Sequence, residues 1–370
     1  MFIGTATSGH QVEGNNKNSD WWRFEQTGEL RYKSGSGCAQ YRLYKKDIEI
    51  MKRLHLNAYR FSIEFSRVMP SPGVISTAAI DHYRDLIKDL KSAGIEPIPT
   101  LWHYTLPLWF YRLGGFTNRV NFKYFIKYID ALLERGLDVD YVLTMNEPVI
   151  YAGNAFLTGR YPPFKNSIPM FFSVLENILN LHNEAYDILK AFGYKVSFAN
   201  HFIKFNANPV LYPLLYYLHS LFNIRPLART RFDFIGVNYY KSVSAERFIL
   251  SRLFPSSKRI WLSSPEGLKQ VVEDVYRRFR KPVLVTENGV DTLDDKFREK
   301  LIKESFASLM SARRDGVRVL GYLHWSFIDN FEWDYGYTRN YGIISFDQRT
   351  KKRTLKGSAS VLSKIAEKYA

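Results

Sequence analysis

Cysteine is nearly absent. Cys38 is the only one in 370 residues, so no disulfide forms within the chain and a cross-linked secreted scaffold is excluded. Long hydrophobic runs are absent as well, so no spanning helix is expected. Residues 1–8 read as a strand and carry no basic-then-apolar leader; with the lone thiol, this points to the cytoplasm. Acidic residues are scarce beside basic ones, 36 against 52, for a net charge of +16. That surplus suits anionic surroundings. No nucleic-acid-binding motif and no long basic run accompany it, so no nucleic-acid partner is expected, only a soluble enzyme with a basic surface. No Walker loop or GxGxxG follows an apolar run, and Gly35-Ser36-Gly37 has neither a lysine nor a preceding strand. HExxH, paired Cys/His spacing and the G-x-S-x-G elbow are missing too.

What is present is an alternation. Short apolar runs and amphipathic helical runs follow one another eight times. The spacing predicts strands over 2–7, 58–64, 96–102, 141–146, 195–200, 234–239, 283–287 and 319–325. Most are continuously apolar, as strands buried on both faces are. Helical faces lie between them, such as Tyr83, Leu86, Ile87 and Leu90, or Phe122, Phe125, Ile126 and Ile129. Gly94 and Gly136 follow helical patterns as C-terminal caps do. The reading is α/β, a single (β/α)8 TIM barrel formed by residues 1–370, with its chemistry at the C-terminal ends of the strands. An open doubly wound sheet is the competing architecture and lacks its phosphate loop.

Two stretches stand out, Thr144-Met145-Asn146-Glu147-Pro148 and Thr286-Glu287-Asn288-Gly289. Each places a glutamate where a buried strand meets a loop. A carboxylate there is costly unless something uses or neutralises it. The other strand ends supply Gln11, Arg60, Trp102, His103, Asn200, His201, Asn238, Tyr240, Trp325, Glu332 and Trp333. This mixture of hydroxyl-binding groups and indoles suits a sugar, polar at its rim and apolar on its faces. His103 and His201 with a glutamate form the metal-binding alternative, which no ligand spacing supports. Glycoside cleavage needs only two carboxyl groups, one ionised and one protonated, and no cofactor. Arg60 pointing at Glu287 would keep that group ionised, Tyr240 would donate to it, and Asn146 would hold the sugar 2-hydroxyl.

The chain resembles the family 1 glycoside hydrolases, retaining β-glycosidases of the β-glucosidase type. The likeness rests on runs in family order. They begin with Gly4-Thr5-Ala6-Thr7-Ser8, Gln11 and Glu13-Gly14, Tyr59-Arg60-Phe61-Ser62-Ile63-Glu64 and Thr100-Leu101-Trp102-His103. They continue through the Glu147 stretch, Phe234-Ile235-Gly236-Val237-Asn238-Tyr239-Tyr240, the Glu287 stretch and Trp325 to Trp333. The resemblance implies Glu147 as acid/base and Glu287 as nucleophile. It implies Gln11, His103, Asn146, Glu332 and Trp333 as sugar contacts and Trp325 as stacking platform. For Gln11 and His103 the competing role is a satisfied structural hydrogen bond, and for Trp325 it is core packing. Retention of Trp333 favours an unphosphorylated sugar, a β-glucoside or β-galactoside. The rivals are a transglycosidase with the same residues and a non-catalytic sugar- or glycolipid-binding barrel.

Some positions depart from the family pattern. Tyr104-Thr105, Phe65 and Asn340-Tyr341 replace its usual residues, and the resemblance puts them behind the pocket wall or at its rim. The chain is also short, with the loss between Asn200 and Asp233, which implies shortened loops and a wider aglycone site. Residues 209–222 are unusually apolar for a loop, and 247–254 mix arginine with Phe, Ile and Leu. Three uses compete for them: packing on the barrel wall, a homo-oligomer interface, or contact with a membrane surface or amphiphile.

Overall fold

Runs such as Tyr141-Val142-Leu143 and Val283-Leu284-Val285 have few polar groups to present to water, and they pair side by side in the interior. In the computed structural model, which describes residues 1–206, 212–244, 261–262 and 264–370, eight parallel strands close into a barrel with helices between them. The strands are Phe2–Ala6, Ala58–Ser62, Glu96–Thr100, Tyr141–Asn146, Lys195–Asn206, Ile235–Ser244, Val283–Asn288 and Val319–Trp325. The first pairs with the eighth from Phe2↔Gly321 to Ala6↔Trp325, and the fifth pairs with the sixth, which completes the ring.

The core has two parts. Ala58, Ile98, Leu143, Ala199, Phe234, Leu284 and Leu323 form one buried cluster, six of them in six different strands and Phe234 just before the sixth strand. A larger cluster lies where strands and helices meet, and takes in Ile80, Tyr83, Leu86, Ile87 and Leu90 of the helix Thr77–Ser92. Each such aliphatic side chain contributes roughly 1.5–3 kcal/mol on burial. That helix starts at Ser76, whose hydroxyl accepts from the Ala79 N–H at 3.2 Å. Gly94 follows it with φ +76°, a conformation in which a Cβ is strained.

Small irregularities in the ladder matter for function. The fourth strand shifts register between Leu143 and Asn146, and the seventh between Val285 and Asn288. Such a shift breaks the strict in–out alternation and re-aims the side chains beyond it. It falls at the end of each strand that carries one of the two glutamates.

The structure corrects the sequence reading in three places. The fifth strand runs to Asn206, six residues past the expected end, and stays paired with the sixth through Asn206↔Ser244. A short strand, Trp261–Leu262, lies antiparallel on the sixth. Within 209–222, the part that is described is not a loop: Tyr212–His219 is an α-helix and Ser220–Ile224 a π-helical turn. Residues 207–211 and 247–254 lie outside the described residues. No helix among the described residues is long and apolar enough to cross a membrane.

Candidate active site

At the C-terminal ends of the strands lies a cavity of about 200 Å³. Glu147, Glu287, Glu332, His103, Asn146, His201, Tyr240, Trp325 and Trp333 line it, with Tyr104, Ile150, Tyr161, Lys241 and Tyr341. Arg60 and Gln11, both fully buried, sit behind its wall.

Glu287 ends the seventh strand. Arg60 Nη1 donates to its Oε1 at 2.5 Å, and the Tyr240 hydroxyl donates to its Oε2 at 2.5 Å. The guanidinium is itself fixed. Its Nε donates to Thr100 Oγ1 at 3.0 Å, and its Nη2 to Asn146 Oδ1 at 2.6 Å. Burial pushes the Glu287 carboxyl up to about 7; Arg60 pulls it down, the Glu147 charge works with burial, and Tyr240 opposes. The arginine is where the sequence expectation needs it, but it only partly offsets desolvation.

Glu147 links the fourth strand to the helix Pro148–Ala152, with φ +44°. Its N–H donates to Ala199 O at 2.7 Å. Both carboxyl oxygens are engaged. Oε1 faces His201 Nδ1 at 2.8 Å and accepts from Asn238 Nδ2 at 2.9 Å; Oε2 accepts from the Tyr104 hydroxyl. Burial works to raise this carboxyl, but His201, Tyr104 and Asn238 outweigh it and hold the group down at about 2. The partners around Oε1 and Oε2 thus favour the carboxylate form of the group that the sequence reading takes as the proton donor.

The remaining polar groups form one connected set. Asn146 Oδ1 accepts from both Arg60 and Asn238, so its amide nitrogen turns to His103 Nε2 at 3.0 Å. His103 is held neutral, by burial first and then by Arg60. With Nε2 accepting, the ring proton sits on Nδ1, which has no hydrogen-bond partner among the described residues. Gln11 Nε2 donates to Glu332 Oε2 at 2.9 Å, to Asn330 Oδ1 at 3.0 Å and to Phe331 O at 2.9 Å. Trp333 stands against His10, ring centroids 5.8 Å apart and planes 9° from parallel.

The sequence of this chain matches the model of glycosyl hydrolase family 1 over residues 1–212 and 244–370. The chain belongs to that family. Its fold is similar to a β-glycosidase from Pyrococcus horikoshii, with TM-score 0.89 and 34% identity over 99% of this chain and 93% of that one. It is 28% identical to β-glucosidase A of Thermotoga maritima over 98% of this chain and 96% of the relative. It is also 28% identical to the chloroplastic galactolipid galactosyltransferase SFR2 of Arabidopsis thaliana, over 87% of this chain but 57% of that protein. As a family 1 member the protein is an O-glycosyl hydrolase of the β-glucosidase type, and a short one.

Its departures from the family pattern are not all at the periphery. Thr105 stays behind the wall, where its hydroxyl donates to Glu64 at 2.8 Å. Tyr341 lines the cavity. Tyr104, expected behind the wall or at the rim, bonds directly to Glu147. His201, read in the sequence as a strand-end polar group and as a metal-ligand alternative, does the same. In the structure His201 lies inside the fifth strand and Tyr104 four residues past the third, so the strand-end rule that singled out the glutamates does not single them out. Which strand-end side chains converge on one carboxylate is set by barrel closure, which local sequence does not show.

Proposed function

We propose that this family 1 enzyme is a retaining, exo-acting β-glycosidase that cleaves β-glucosides or β-galactosides by double displacement. The observation that carries the reading is the pair of glutamates facing one cavity, each tied through a single residue to the same Asn146 oxygen. Arg60 makes that link for Glu287, and Asn238 for Glu147. Glu287 attacks the anomeric carbon and forms a glycosyl ester, while Glu147 governs the proton on the leaving oxygen. Glu147 then takes a proton from water as the ester is released, and two inversions give net retention. His103, Asn146, Glu332 and Trp333 hold the sugar hydroxyls, Gln11 braces Glu332, and Trp325 offers its face to the ring. No cofactor enters either step.

Glu287→Gln should remove turnover of a nitrophenyl β-glycoside; retained activity would end this assignment of the nucleophile. The short segment after the fifth strand and the apolar Ile150, Tyr161 and Tyr341 favour alkyl or lipid-like aglycones. A higher kcat/KM for octyl glucoside than for cellobiose is the expected result, and a strong cellobiose preference would count against it. Transfer of the sugar to alcohols is the second reading. It is favoured by the galactosyltransferase name of one relative. Alkyl glycosides among the products with added alcohol would establish it. Tyr216 and Tyr217, both exposed, belong to the stretch for which barrel-wall packing, a second copy and an amphiphile surface compete, and their exposure favours the last two. Light scattering at micromolar concentration tests the second copy. The lone cysteine keeps the cytoplasm as the proposed location.

A further inference from the structure

Glu147 has to deliver a proton to the leaving oxygen, yet its surroundings favour the carboxylate. Three donors surround it: His201, Asn238 and Tyr104. The orientation of Asn238 is not free, since its Oδ1 already accepts from Thr286 Oγ1 at 2.7 Å and its amide must face Glu147. Among these donors only the imidazole carries a proton that it readily gives up and takes back. The His201 ring lies near-parallel to that of Tyr240, centroids 6.1 Å apart, and its side chain is 10% exposed where it borders the cavity.

We propose that His201 is the proton store of the reaction, and that the proton received by the leaving oxygen is held on His201 Nδ1 in the free enzyme. This rests on the reading of Glu147 as acid/base. In the first step the Glu287–anomeric carbon bond forms and the bond to the leaving oxygen breaks. The leaving oxygen takes a proton from Glu147, and Glu147 is resupplied from Nδ1. Imidazolium becomes neutral imidazole as the Glu287 charge is lost to the ester. In the second step the attacking water gives its proton to Glu147 and back to Nδ1, and Glu287 regains its charge. The charge of the site is thus balanced at every stage.

The groups facing this pair come from several other segments. Tyr104 follows the third strand, Tyr161 follows the π-helical turn Gly153–Leu157, and Tyr240 lies within the sixth strand; burial drives all three hydroxyls well above their usual range, so they stay protonated. Lys241, beside Tyr240, is pushed down to about 8 by burial against the pull of Glu147. Glu287 and Arg60 form their own ion pair across the cavity, and Glu332 is pushed up to about 8, by burial first.

His201→Asn keeps an N–H donor toward Glu147 but cannot store a proton. For an alkyl β-glucoside, kcat/KM should fall about a hundredfold or more. For a dinitrophenyl β-glucoside, whose leaving oxygen departs unprotonated, it should change only a few-fold. An unchanged ratio between the two substrates overturns the proposal. If Glu287→Gln is inactive in the same series, the assignment of the glutamates survives that failure; if Glu287→Gln turns over, the assignment itself falls. A second measurement needs no variant at this position. Nitrogen NMR of the His201 ring should show imidazolium in the free wild-type enzyme and neutral imidazole in a fluoro-sugar-trapped glycosyl-enzyme. The same protonation in both states overturns the proposal.

Discussion

Glu332 accepts a hydrogen bond from Gln11 and shares its cavity with Glu147 and Glu287. Burial pushes its carboxyl up to about 8; Gln11 opposes this, and the two neighbouring charges add to it. A raised acid pKa in the folded state has a definite sign in stability. Below the unfolded value, near 4.5, both states hold the proton and Glu332 carries no penalty. As pH rises from there toward about 8, the unfolded chain ionises while the buried group resists, and that share of stability is lost. Glu332→Gln keeps the shape and the bond from Gln11 but never ionises. Its Tm should therefore match wild type near pH 4 and exceed it by a few degrees near pH 9, as followed by thermal denaturation across pH. A Tm difference that does not grow with pH would rule out burial of an ionising carboxyl as the cause. The candidate site was partly legible at this scale. Glu147, Glu287, Asn146, Arg60 and Tyr240 stand on or near strand ends, and a buried polar side chain there is conspicuous in sequence. The grip of Tyr104 and His201 on Glu147 was not legible, because it needs three strands brought together by closure.

Strands in a closed barrel approach one another through backbone as well as side chains. At Gly4, in the first strand, an added Cβ would lie 1.8 Å from the Ala58 carbonyl oxygen of the second strand. Backbone in a ladder has little room to yield. Gly4→Ala should lose about 1–3 kcal/mol in urea denaturation, as overpacked sites do. Gly153, in the π-helical turn beyond Glu147, has nothing within 4 Å of its added Cβ. Gly153→Ala should stay within about 0.5 kcal/mol of wild type, as an open site does. Equal effects at the two positions would mean that close approach does not set the cost. The eight strands themselves were readable because most are apolar on both faces. The extension His201–Asn206 was not, because His-Phe-Ile-Lys-Phe-Asn mixes polar and apolar residues. The next stretch reads as a loop from the family resemblance alone. Pro213 in fact sits in the first turn of Tyr212–His219, where its missing N–H breaks no helical bond.

Closing the ring leaves the loop after the eighth strand, which carries Glu332 and Trp333, dependent on distant parts of the chain. Asp329, three residues before Glu332, is held by Lys356 Nζ at 2.7 Å, and its N–H donates to Ile344 O at 2.8 Å. Ile344–Phe346 pairs antiparallel with Arg353–Leu355. Arg353 anchors that hairpin to the helix Gln40–Arg53, far away in sequence. Its Nε and Nη2 grip the two oxygens of Asp47 at 2.8 and 3.1 Å, with side chains only 5% and 1% exposed. Taking one charge from a buried pair strands the other in a medium that solvates it poorly. Asp47→Asn should therefore cost about 3–5 kcal/mol in denaturant unfolding. Replacing both partners, as in Asp47→Asn with Arg353→Met, should recover much of the loss, since an apolar side chain needs no counter-charge there. Because the pair touches the site only through the hairpin, kcat/KM at ambient temperature should change little while the midpoint of heat inactivation falls. A single variant within about 1 kcal/mol of wild type would show that this contact does not fasten the loop bearing Glu332 and Trp333 to the other end of the chain.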